Sequence, residues 1–267
     1  MAGFTIDLVG RVKNFDLPKN QPLIPLYEAV VNSIYAIQER QEKEEFDGKI
    51  DIEIIREPQE VADIVGIDRS INEITGFRVI DNGIGLDDNN MKSFLQSDST
   101  YRADKGGKGV GRFSWLKAFS KTHIESVYKD SNDDIWVKRE FEFSLDMLDI
   151  DDRLEEEKSA DENRTCVSLI DYLPSYRRYV NKKAETIAMK IMQHCMIYLM
   201  SPKCPQIYVI DDERYNVNSL FEKKIYREQE SVDINVNGEK LKILHTQVQD
   251  ISVGGSKLFL FANDRMI

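Results

Sequence analysis

Residues 49–56 read KIDIEIIR, in which Ile50, Ile52 and Ile54 alternate with polar side chains. A period of two marks a half-buried strand, with one face in a core and the other in water. This feature constrains the fold more than any other, because such a strand needs neighbours beside it and an apolar cover over one face only. GFRVIDNGIGLD (76–87) reads as a strand running into a glycine-rich turn, and THIESVYK (122–129), IWVKREFEFSL (135–145) and TCVSLIDYL (165–173) read as further strands.

The cover comes from helices. PKNQPLIP (18–25) is a proline-punctuated entry, and Pro25 suits the first position of a helix. In the segment that follows, Leu26, Val30, Ile34 and Ile37 recur at helical spacing, while Glu28, Asn32 and Tyr35 fall on another face. VGRFSWLKAFSK (110–121) and RRYVNKKAETIAMKIMQHCMIYLM (177–200) read as two more helices, the second one long. Residues 57–73 are expected to form an exposed excursion, 88–107 a mobile polar segment, and the acidic stretch 149–163 a solvated connection. Pro202 and Pro205 mark a boundary, after which the chain is strand-rich; no internal repeat is visible.

Hydrophobic content of 41% and aromatic content of 9% suit a chain with a real core. The formal charge is −11, and a field of that sign makes the domain a poor general binder of nucleic acid. Cys166, Cys195 and Cys204 lack C-x-x-C spacing and are expected to be buried, reduced thiols. No secretory signal and no run of ~18 apolar residues is present, so the expected setting is cytoplasmic, without a membrane.

Three segments carry chemistry. KGGKGVGRF (105–113) has glycines at 107, 109 and 111 just before a helix. It is not a Walker A loop, and Arg112 stands where the dinucleotide fingerprint needs glycine. Converging backbone N–H groups there suit a polyphosphate, with Lys108 and Lys105 adding charge, although a flexible turn also fits. Glu28 and Asn32 lie one helical turn apart, so an amide oxygen and a carboxylate can divide metal holding from proton abstraction. Solvated polar residues on an amphipathic helix would look the same. Asp81 ends an apolar strand, with Gly83 and Gly85 following. Its carboxylate suits the amino group of adenine and the glycines leave room for a base, while an Asx turn is the plainer alternative.

Taken in order, E-x-x-x-N, D-x-G-x-G, a polar stretch and G-x-G-x-G resemble the GHKL superfamily. It includes DNA gyrase, chaperones of the HtpG type, sensor histidine kinases and the mismatch-repair MutL proteins. RTCVSLIDY adds a fourth similarity, with Thr165 opening a strand as in the family's last nucleotide motif. The resemblance covers residues 20–200, is nearest the gyrase, MutL and chaperone branch, and in GGKGVGRFSWLKAF looks closest to a bacterial group of large ATP-binding proteins. It implies an α/β (α+β) two-layer sandwich of Bergerat type, whose mixed, mostly antiparallel sheet is covered by helices on one face. It also implies an ATP-binding domain at 1–200 and the beginning of a transducer-like domain at 201–267, so the chain is expected to be part of a longer one.

By the same resemblance, Glu28 is the general base for attack of water on the γ-phosphate and Asn32 holds magnesium. Asp81 reads adenine with help from Thr165 through water, and Gly83 and Gly85 line the base pocket. Gly107, Lys108, Gly109, Val110 and Gly111 wrap the phosphates, and residues 97–106 form a lid. The implied activity is slow, magnesium-dependent ATP hydrolysis that drives lid closure and an ATP-dependent homodimer. A client or effector, protein or DNA, would be engaged by regions beyond this chain. The alternative is a non-hydrolysing ATP-binding module. The histidine-kinase branch fits poorly, since the histidines are His123, His194 and His245 and none precedes the nucleotide domain on a helix. Tyr35 is a departure: the family usually has an aspartate there, and the tyrosine either packs in the core or stacks near the base.

Overall fold

A computed structural model of the chain describes residues 8–58, 72–96, 111–130, 134–145, 150–224, 230–236, 239–245, 261–262 and 265–266. Helix α1 covers Leu8–Asn14 and α2 covers Ile24–Gln41. Pro25 lies in the first turn of α2, and Leu26, Val30, Ile34 and Ile37 form a fully buried stripe. Strand β1 (Lys49–Arg56) pairs antiparallel with β2 (Ile74–Asp81), setting Ile50 opposite Asp81 and Ile52 opposite Val79. Helices α3 (Asp88–Leu95) and α4 (Arg112–Ala118) precede β3 (Phe119–Lys129), β4 (Trp136–Ser144), β5 (Arg153–Glu156) and β6 (Arg164–Tyr172). Three helices follow, α5 (Pro174–Arg177), α6 (Ala184–His194) and α7 (Met196–Leu199), then β7 (Gln206–Ile210), β8 (Arg214–Asn216) and α8 (Val217–Glu222). Beyond them β9 (Glu230–Val236) pairs with β10 (Glu239–His245), and β11 (Phe261–Ala262) pairs with β12 (Arg265–Met266).

The chain is thus α/β, built on a mixed eight-stranded sheet of order β5-β4-β3-β6-β2-β1-β7-β8. Within it β1 and β7 run parallel and the other neighbours antiparallel. Its inner face carries Ile50, Ile52, Phe77, Val79, Ile124, Phe141 and Leu169, which join α2 and α6 in one core through Ile34, Ile187 and Ile191. The outer face is a charged ladder: Arg78–Glu53 at 2.9 Å, Arg164–Glu125 at 3.2 Å and Lys121–Glu142 at 3.0 Å. The alternation first read at 49–56 therefore runs across the sheet.

Several local expectations change. Residues 88–95 are helical, because Asp87 caps them by accepting from the Asn90 backbone N–H at 2.8 Å and Met91 is buried beneath. The helix expected over 110–121 spans 112–118 among the described residues. Phe119 leaves it to stack on Tyr172, with ring centroids 4.0 Å apart, and the Leu173 N–H takes the Ala118 carbonyl at 2.8 Å. The acidic connection contains the exposed edge strand β5, paired with β4. The single helix expected at 177–200 is two, α6 and α7, preceded by the short α5 that ends at Arg177: Asn181 accepts from the Lys183 N–H at 2.9 Å in an Asx turn, and Cys195 breaks the run again. The sheet also continues past residue 200, since β7 pairs with β1 and β8 with β7.

Candidate functional site

Strand register assembles the floor of a cleft. Asp81 on β2 lies opposite Thr165 on β6, Thr165 opposite Ser126 on β3, and Ser126 opposite Arg139 on β4. One step further along the strands the row is apolar: Val79, Val167, Ile124 and Phe141. A polar row therefore closes the inner face, and Asp81, Ser126 and Arg139 are 4%, 0% and 2% exposed. Buried polar groups at this depth need specific partners. Thr165 Oγ1 and Ser126 Oγ are 2.8 Å apart, Ser126 Oγ accepts from the Leu86 N–H at 2.9 Å, and Arg139 donates to the Leu86 carbonyl at 2.6 Å.

The turn after Asp81 is fastened from every side. Asp81 Oδ1 accepts from the Gly83 N–H at 2.9 Å, and Oδ2 accepts from Ser33 Oγ of α2 at 2.7 Å. These two donors orient the carboxylate, and a carboxylate with about four lone-pair sites can accept several donors at once. The Ile84 N–H donates to the Ala36 carbonyl at 3.0 Å, Asn90 Nδ2 to the Gly85 carbonyl at 3.1 Å, and Asn163 Nδ2 to the Gly83 carbonyl at 3.0 Å. Gly85 has φ +86°, and a side chain there would also collide with Tyr128. Gly83 lies beneath Asp81, buried against Ala36, while Gly85 lines the cleft.

The cleft encloses about 170 Å³ and collects Glu28, Asn32 and Ser33 of α2, Asp81, Gly85, Gly111 and Thr165 among its walls. Glu28 and Asn32 are half-buried. Gly111 approaches the Glu28 carboxylate so closely that a Cβ would overlap it, which joins the glycine segment to the helix. Phe94 of α3 and Trp115 of α4 complete one wall, and Trp115 Nε1 donates to the Pro25 carbonyl at 3.0 Å. The structure thus brings Glu28, Asn32, Asp81, Gly85, Gly111 and Thr165 to one cavity. Gly107, Lys108, Gly109 and Val110, with the expected lid at 97–106, lie outside the described residues.

Tyr35 resolves toward the core: it is 3% exposed, and its hydroxyl lies 2.9 Å from that of Tyr198, though the residue also lines the cleft. The thiols are free, with Cys166 and Cys195 buried and Cys204 half-buried; burial pushes Cys204 up to about 12, so it stays protonated. Sequence reasoning missed Ser33, Asn90, Ser126, Arg139 and Asn163. Asn163 ends the acidic stretch expected to be mere solvated connection. Among the described residues no group of three or more His, Cys, Asp or Glu could hold a metal, and no helix is long and apolar enough to cross a membrane. No family model matches the chain, and comparison with curated proteins finds no match.

Proposed function

We propose that the chain is a GHKL-type ATPase module with a Bergerat fold, a slow, magnesium-dependent switch. The observation that carries this reading is the convergence of Glu28, Asn32, Asp81, Gly85, Gly111 and Thr165, far apart in sequence, on one cleft. Asp81, held by Ser33 and Gly83, would accept the amino group of adenine, and the Thr165 and Ser126 hydroxyls beside it would hold a water against the base. Val167 and Ile124 offer the apolar floor a base needs.

Asn32 would suit magnesium, which prefers oxygen ligands and is bound through few protein groups plus phosphates and waters. Bound there, the metal would neutralise charge on the phosphates. Glu28, one turn before Asn32, would take the proton of the attacking water. The glycine at 111 would let the backbone before α4 close against the carboxylate of the base. The resemblance adds an ATP-dependent homodimer and a client or effector.

The test is calorimetric titration with Mg-ATP and Mg-GTP, followed by phosphate release. Trp115 lines the cleft and gives a fluorescence readout of occupancy. Adenine-selective binding with slow release is expected. Binding without release would leave a non-hydrolysing module, and no binding would end the nucleotide reading.

A further inference from the structure

Arg112 stands out once the cleft is read as a charge distribution. Among the described residues that line it, Glu28 and Asp81 are acidic and Arg112 is the one cation. The whole chain carries −11, so a polyphosphate approaching this cleft meets a repelling background. A cation in its lining therefore matters more here than in a neutral protein.

Geometry places this arginine rather than leaving it to sample solvent. Its guanidinium carbon lies 5.3 Å from the Phe94 ring centroid and 5.5 Å from that of Phe113. One terminal nitrogen donates to the Gln96 carbonyl at 2.6 Å. Two aromatic faces and a carbonyl thus fix the plane of a group that carries five N–H donors in a fork suited to phosphate oxygens. Its backbone follows Gly111, the residue packed on the Glu28 carboxylate. The fork is therefore tied to the segment beside the proposed base.

We infer that Arg112 is a phosphate-binding residue of this site, engaging the β- or γ-phosphate of the nucleotide by charge-assisted hydrogen bonds. This rests on the nucleotide reading above. It assigns the arginine that breaks the dinucleotide fingerprint a positive role: the chain places a fixed cation where that motif needs a glycine. A lysine would keep the charge but lose the planar fork, so the two residues are not equivalent here.

The test compares ligands that share a base and differ in phosphate. Wild type, Arg112→Ala and Arg112→Lys are titrated with adenosine, Mg-ADP and Mg-ATP, with circular dichroism confirming that each variant folds. Arg112→Ala should weaken Mg-ATP at least tenfold and leave adenosine within twofold, and Arg112→Lys should recover part of the loss. Equal weakening of adenosine and ATP would reduce Arg112 to a fastener of Gln96 and overturn the assignment. Unchanged ATP affinity would overturn it too. If Arg112→Ala does not fold, the same comparison in Arg112→Lys decides, through loss confined to the phosphate-bearing ligands. Wild type binding neither adenosine nor ATP would remove the nucleotide reading itself; adenosine binding without any gain from phosphates would remove only the inference.

Discussion

Lys138 and Arg139 are neighbours on β4 and face opposite sides of the sheet. Lys138 Nζ sits on the outer ladder, 2.9 Å from Glu140 and 3.3 Å from Glu125, where water reaches all three side chains. Arg139 is 2% exposed on the inner face. It donates to the Leu86 carbonyl and to Asp88 Oδ1, each at 2.6 Å, and its Nε lies 3.1 Å from Asp152 Oδ1. The outer pairs keep a sheet face wet, and any of several partners would serve. The inner arginine has no interchangeable partner: it holds the chain leaving the D-x-G-x-G turn and the start of α3. Two cations side by side in sequence thus do different work, and strand register alone assigns it.

The largest expected effect breaks chemistry from binding on the inner side. Glu28→Ala should lower turnover by about 10²–10⁴-fold. ATP affinity should stay within several-fold, because the base acts mainly at the transition state. Phosphate release and calorimetry on the same preparation check both halves. Wild-type turnover in the variant would remove Glu28 from the role of base.

Arg139→Met sharpens the comparison directly. Methionine keeps an unbranched stem for packing and removes the donors, so the half-buried Leu86 carbonyl loses a charged partner. Losing hydrogen bonds from a charged group costs about 1.5–3 kcal/mol of stability, read by urea melts. ATP affinity should fall as well, since the turn behind Asp81 loosens. A melt unchanged from wild type would show that Asn90 and Asn163 hold the turn without it.

Recognition comes next in size. Asp81→Asn keeps the shape but replaces one acceptor oxygen with an NH₂ donor. The amide then meets the Ser33 hydroxyl, the Gly83 N–H and, on the proposed reading, an adenine amino group with a single oxygen. ATP affinity should drop by about 1–3 kcal/mol, with the preference for ATP over GTP reduced in step. Equal affinity of wild type for the two nucleotides would be the damaging outcome for Asp81.

Much of this site was legible in the sequence because its parts are local patterns. The Glu28–Asn32 pair is a helical spacing, Asp81–Gly85 is a strand end with turn chemistry, and both stand where expected. What stayed hidden depends on long-range register. Nothing in IWVKREFEFSL or THIESVYK says that Arg139 and Ser126 share a row with Asp81, since a slip of one residue would send both to the outer face. Asn163 was invisible for the same reason: its carboxamide serves a turn 80 residues earlier in the chain. The helix boundary at Ala118 moved because a tertiary partner, Tyr172 for Phe119, outweighed local periodicity, whereas the break at Asn181 is a local Asx turn. The capped helix at 88–95 is different, for D-D-N-N-M carries a capping signal at Asp87 that a polar composition masked.

The smallest effect belongs to the outer face, and it is the control on which the contrast depends. Lys138→Met should cost less than about 1 kcal/mol at neutral pH, as exposed ion pairs do, and should leave ATP affinity unchanged. Its pH dependence has a definite sign. The bond to Lys138 is the main cause holding the Glu140 carboxyl below the usual range. A carboxyl whose folded value is depressed contributes stability that is complete above its unfolded value and is lost as pH falls through the folded one. Glu140 and Glu125 in turn hold the Lys138 ammonium above its ordinary value, so that contribution fades only in strong alkali. The gap in stability between wild type and Lys138→Met should therefore be widest near neutrality and close in acid, as Glu140 protonates. Urea melts of both proteins across the acid limb check this. A gap that persists after the carboxylates are protonated would mean that the lysine stem, packed on the strands, matters more than its charge. A fall in ATP affinity would mean that the outer face communicates with the cleft and that the two faces of β4 are not independent.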